Sequence, residues 1–253
     1  MKSRKHTLLP LAAITGLALA TTAHAATLAG QLGILDLTAN GGINPANGSA
    51  WEAGDQYRFV FVVSAANALD PNDKTIADFN AHMQTVANGS SLNIGAATWK
   101  VLGSTAEVDA RDNTSTNPNV DGTGHAIMLV DGATIIANDF VDLWNGTIQN
   151  AIFRTEENLE PVSSPNFARF PYTGTNTDGT AVAGQELGVP NDGNVRAASS
   201  AATNGQWING GSNFVNNTQG SYYAMSDILT VIPEPSVALL CATGLLVLLR
   251  RRR

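Results

Sequence analysis

The strongest constraint on this chain is that its two most apolar stretches sit at its ends, so a water-soluble fold must be built from what lies between. Fourteen residues from Ser236 to Leu249 carry no charge and run into Arg250, Arg251, Arg252 and Arg253. An uncharged run closed by a basic cluster reads as a membrane segment held with its arginines on the cytoplasmic side. Fourteen residues is short against the roughly 20 that a helix needs to cross a bilayer core. Adding Val231 and Ile232 and letting the arginines snorkel brings a span within reach. Just ahead lie Pro233, Glu234 and Pro235. Proline lacks a backbone N–H and breaks a helix, so these residues predict an extended, accessible segment outside the membrane, suited to a processing enzyme.

The other end is also a targeting segment. Lys2, Arg4 and Lys5 form a basic region and Leu8 to Ala20 an apolar one. Ala23-His24-Ala25 then supplies a small-x-small cleavage site, so signal peptidase would leave a mature chain beginning at Ala26. The expected division is a signal peptide over 1–25, one exported domain over 26–231 and a tail over 232–253.

The order Pro-Glu-Pro, short apolar helix, terminal arginine cluster resembles the PEP-CTERM sorting tail of exported bacterial proteins. The resemblance covers about a tenth of the chain. It implies that an exosortase, a membrane-embedded transpeptidase-like enzyme, recognises the tail and cuts near Pro233-Glu234-Pro235. It also implies an inner-membrane intermediate, then a place on the surface or in the extracellular matrix of a Gram-negative-type bacterium. The alternative reading of the same residues is an ordinary single-pass anchor.

Removing both ends changes the charge. Of 14 Lys and Arg, seven lie in the end segments; the other seven face all 21 acids, leaving the middle near −14 rather than the −7 of the whole chain. Such a surface repels nucleic acid and anionic headgroups. The one cysteine, Cys241, is in the tail, so the domain has no disulfide, cysteine-bound zinc or thiol chemistry. Of four histidines only His82 and His125 remain after signal removal.

Along the domain, Ala26 to Leu37 alternates loosely as a first strand, and Tyr57 to Val63 is the strongest strand signal. Thr75 and Asp78 form a capping box, with Ile76, Phe79, Met83 and Val86 at helical spacing behind it and Asn88-Gly89 as the stop. His82 falls within this helix as a packing residue. Thr98 to Leu102 is a second strand, and Thr105 to Gly124 a long polar loop. Asp131-Gly132 predicts a type I′ turn between Ile127–Val130 and Ala133–Ile136. Asp139 to Trp144 reads as a short helix capped by Asn138 or Asp139. Residues 150–219 are rich in Gly, Asn, Thr, Ser and Ala, and Tyr222 to Val231 closes the domain as a strand. Short mixed strands with one or two helices imply a single α+β domain.

That order, with Trp144-Asn145-Gly146 and the run Thr173 to Gly179, is also similar to the endostatin-like domain of certain collagens, which implies a C-type-lectin-like fold over about 57–231. The disulfide cysteines and zinc histidines of that family are absent here, so its metal binding does not carry over.

Chemistry is sparse. No G-x-S-x-G and no phosphate-binding loop occurs, and His125, after Gly122-Thr123-Gly124, is expected to be an exposed lone loop histidine near Asp121, with little choice of base beside it. Glu156, Glu157 and Glu160 could supply the paired carboxylates of a glycoside hydrolase. Aromatic residues, which line sugar grooves, are only 6% of the chain, and the same glutamates fit a solvated face. Calcium, which takes six to eight oxygen ligands, is the metal whose needs the polar loops best match, through Asp109, Asp112, Asn113 and Asp121 in one loop and Asn176 and Asp178 in the other. No EF-hand spacing occurs, so this signal is compositional. Two functions follow: a non-catalytic surface or matrix module associated with exopolysaccharide, or a secreted carbohydrate-active hydrolase.

Overall fold

The computed structural model describes residues 27–162, 169–190, 193–215 and 219–234. Among them, in chain order, come β1 (Leu28–Gly30), β2 (Gln56–Val62), α1 (Ile76–Gly89), β3 (Trp99–Val101), α2 (Ala110–Asn113), β4 (Ala126–Leu129), β5 (Ile135–Ala137) and α3 (Phe140–Leu143). The strands β6 (Asn194–Ala197), β7 (Ser212–Val215), β8 (Tyr223–Ser226) and β9 (Leu229–Pro233) follow. The domain is α+β, a mixed seven-stranded sheet with helices and a separate β6–β7 hairpin.

β2 is the centre because its side chains are apolar on both faces. Tyr57, Phe59, Phe61 and Val63 face one core, and Val60 and Val62 face the other. This is the period of two expected of a strand, applied to a sheet covered on both sides. β4 pairs with β2 in parallel, from Tyr57 opposite Ala126 to Val60 opposite Leu129, and β5 pairs antiparallel with β4. On the other side β8 pairs with Val60 to Val62 and β9 with Gln56 and Tyr57. β3 extends β8, and β1 extends β9.

The single closing strand expected from Tyr222 to Val231 is therefore two. Val60 lies opposite Met225 and Tyr57 opposite Leu229, so three steps along β2 match four along its partner. That extra residue is a bulge-like slip at Asp227-Ile228, which re-aims the chain from β8 into β9. β1 is shorter than expected, and pairing along β9 runs past Val231 to Pro233.

α1 begins as predicted. Asp78 N–H donates to the Thr75 hydroxyl at 3.3 Å and Thr75 N–H to the Asp78 carboxylate at 2.9 Å, while Phe79, Met83, Val86 and Ala87 are buried on the sheet. Its end differs. Gly89 is the last helical residue and Ser90 leaves in an extended conformation (φ −71°, ψ 140°), so no left-handed glycine cap forms. α1 also protects a sheet edge. Asn80 and Gln84 accept from Val101 and Trp99 N–H at 2.9 and 3.0 Å, and Asn113 donates to Val101 C=O at 2.8 Å. Side-chain amides thus satisfy the backbone groups that an edge strand otherwise leaves open.

Two turns also depart from expectation. Only Gly132 has a positive φ (77°) in the β4–β5 connection; Asp131 instead accepts from the N–H groups of Ala133 and Thr134, both at 2.9 Å. A type I′ turn needs positive φ at both central positions, so this is a longer Asx-stabilised loop. Thr105 to Gly124 is not all loop, since it contains α2. Asp139 is the cap of α3, its carboxylate accepting from Asp142 N–H at 2.7 Å.

Candidate functional site

The two polar loops meet. Ser104 starts the junction: its N–H donates to Thr173 C=O at 2.8 Å, its hydroxyl lies 2.9 Å from that of Thr175 and accepts from Ala110 N–H at 2.8 Å. All four residues are buried, so this hydroxyl pair fixes where α2 begins relative to the second loop. Asp109, at the start of α2, crosses to the other loop and accepts from Ala181 N–H at 2.8 Å. Arg111 N–H donates to Gly179 C=O and its guanidinium to Asp178 C=O, both at 3.3 Å.

Gly179 is required at this contact. Its φ is 86°, and a Cβ there would lie 2.9 Å from Arg111 Cβ and 3.0 Å from Trp144 Cδ2. Trp144 is the floor beneath it, its indole N–H donating to the Thr116 hydroxyl at 3.0 Å and its ring 5.9 Å from Trp207.

The six predicted loop residues separate into three roles. Asp109, Asn176 and Asp178 share the junction; Asn176 donates to Ala181 C=O at 2.8 Å, and Asp178 accepts from the Thr180 hydroxyl at 2.6 Å. Burial opposes ionisation of Asp178, but the Thr180 hydroxyl and N–H, with Arg111, outweigh it and hold the carboxyl below the usual range. Asp112 and Asp121 are joined through Asn117, which donates its side-chain amide to Asp112 at 2.7 Å and its N–H to Asp121 at 2.8 Å. Asn113 is buried and turned inward to Asn80 and Val101, so it is not available to a ligand. Among the described residues, no three His, Cys, Asp or Glu side chains converge as a metal site.

Arg58 is the residue that loop composition does not reveal. It is buried, on the β2 face that otherwise carries Val60 and Val62. Its guanidinium donates to Thr114 C=O at 2.8 Å, Ser226 C=O at 3.0 Å and Ser115 C=O at 3.2 Å, and lies 5.3 Å from the centre of the Phe140 ring. Burial lowers its pKa, opposed by the charges of Asp227 and Asp121. Its role is to tie the Thr114–Thr116 turn, where Ser115 has φ 52°, to the sheet. An arginine inside Tyr-Arg-Phe-Val-Phe-Val-Val was the available signal.

His125, in the loop that leads into β4, is not exposed. It is half-buried, edge-on to Phe140 at 6.0 Å, and burial and then Arg58 depress its pKa. His82 is half-buried on α1 and engages Asn67 C=O at 2.8 Å.

The three glutamates are each bound to a different segment. Glu156 is buried and accepts from Ser64 N–H at 2.9 Å, Ser64 hydroxyl at 2.5 Å and Asn67 amide at 2.7 Å. Glu157 accepts from the N–H and hydroxyl of Ser91, and Glu160 pairs with Arg154 at 3.3 Å. A cleft of about 400 Å³ opens elsewhere, beside Lys74, Thr75, Glu107, Leu187 and Pro190, and none of the three lines it.

Of the processing residues, Pro233 lies in β9 and Glu234 directly follows it. Ala23, Ala25, Ala26, Pro235 and Arg250 to Arg253 lie outside the described residues.

No protein-family model matches the chain, and no curated protein matches it.

Proposed function

We propose that this is an exported, exosortase-processed surface or matrix protein whose domain is a non-catalytic binding module for exopolysaccharide. The observation that carries this is the loop junction. Residues 109–121 and 173–181 are locked together by Asp109, Arg111 and Gly179, and the side chains of Asp112, Asp121 and Asp178 are exposed. A rigid polar surface that pairs its own internal groups suits recognition of a hydroxyl-rich polymer, because little ordering entropy is lost on contact. The alternative hydrolase has less support, since Glu156, Glu157 and Glu160 are each committed to a different segment. Export and processing rest on the terminal sequence features.

The test is co-sedimentation of the mature protein with exopolysaccharide from the producing bacterium. Retention that falls at least fivefold on Arg111→Ala, with no sugar released, supports a binding module. Passage of wild-type protein without retention refutes it, and sugar released by the wild-type protein establishes the hydrolase instead.

A further inference from the structure

We infer that β1 is an intramolecular strap over the start of the tail, so that processing leaves Pro233 and Glu234 on the released domain. This rests on the proposal that the tail is cut.

Pairing of β1 with β9 is antiparallel, with Leu28 opposite Pro233, Ala29 opposite Ile232 and Gly30 opposite Val231. Glu234 N–H donates to Thr27 C=O at 2.7 Å, and Gln31 N–H to Thr230 C=O at 3.0 Å. Backbone groups of residues 230, 232 and 234 therefore point toward β1. Those of 229, 231 and 233 point to the opposite edge. On that edge Val231 is fully engaged, donating to Asp55 C=O and accepting from Gly54 N–H, both at 2.8 Å. Beyond Val231, among the described residues, the backbone that faces this edge is that of Pro233, and proline has no N–H.

An enzyme that cuts a chain binds it extended, commonly by adding it as a strand to its own edge. Such docking needs a row of free backbone donors and acceptors on one side. From Leu229 to Glu234 one side is held by β1, and the other has either a partner or a missing donor. Pro235 removes the next donor as well, so the first N–H past Glu234 along the chain is that of Ser236. The scissile bond then lies C-terminal to Glu234. In its hydrolysis, water supplies the hydroxyl of the new carboxyl group and the proton of the departing amine. The same pairing places the first residues of the mature chain beside the exit of the tail.

Two measurements test this. Thermolysin digestion of the full chain, followed by intact mass, should show the bonds before Val231 and Ile232 resistant in wild type. Ala29→Pro, which removes an N–H from the β1 side, should raise cutting there at least tenfold with core tryptophan fluorescence unchanged. Equal cutting of the two proteins overturns the strap. If Ala29→Pro fails to fold, Pro233→Ala keeps β1 intact and restores the missing donor, and should move the processed C-terminus upstream. A wild-type processed C-terminus before Glu234 also overturns the inference. A tail that is never cut refutes the sorting proposal, while the thermolysin result still decides the strap.

Discussion

The N–H of Glu234 donates to the carbonyl of Thr27 at 2.7 Å, so the two ends of the described domain are bound to each other. Gly30 limits how closely this pair of strands can sit on the core. A Cβ added there would lie 2.6 Å from both Leu35 Cβ and Tyr57 Oη. Gly30→Ala is therefore expected to cost about 1–3 kcal/mol through overpacking. A fall in melting temperature, with exchange of the Glu234 amide accelerated, is the expected result of hydrogen-exchange and thermal-unfolding measurements.

Arg58→Met keeps the volume of a long side chain but leaves the carbonyls of Thr114, Ser115 and Ser226 without their donor. The expected cost is about 2–4 kcal/mol by denaturant titration. Polysaccharide retention should fall with it, because the turn held by Arg58 supports Trp144 under the loop junction.

His125 sets a pH dependence with a definite sign. Its folded pKa is depressed by burial and then by Arg58, so the unfolded chain binds the proton more readily. The stabilisation is complete above the unfolded value of about 6.5 and is lost as pH falls through that value toward the depressed one. Unfolding free energy measured from pH 7.5 to 5 should decline in wild type and flatten in His125→Phe.

Glu156 is a structural acceptor, with Ser64 and Asn67 as donors. Glu156→Gln places an amide NH₂ against at least one of them and should destabilise the domain by about 1–3 kcal/mol. Exposed Glu160, paired with Arg154, should tolerate Glu160→Gln within about 0.5 kcal/mol. Parallel urea melts of the two variants check this contrast.

Much of the fold was legible wherever short-range physics decides. Tyr57, Phe59 and Phe61 announce one buried face, and Thr75 with Asp78 announces the start of α1. What escaped depends on distant partners. Asn113 looks like a loop ligand until Asn80, on α1, is found opposite it. Asp227 and Ile228 read as strand until β2 imposes its register. β6 and β7 are only four residues each, so neither carries enough pattern to be seen alone. Asp112 and Asp178 were legible as exposed polar residues, whereas Arg58 acts through carbonyls of three separate segments that no local pattern specifies.

The most direct test of the account is the intact mass of the endogenous protein recovered from the exopolysaccharide fraction of the producing cells. The account predicts a chain that begins at Ala26, ends at or after Glu234 and lacks Arg250 to Arg253. A full-length chain retained in the inner membrane with its arginines would contradict it.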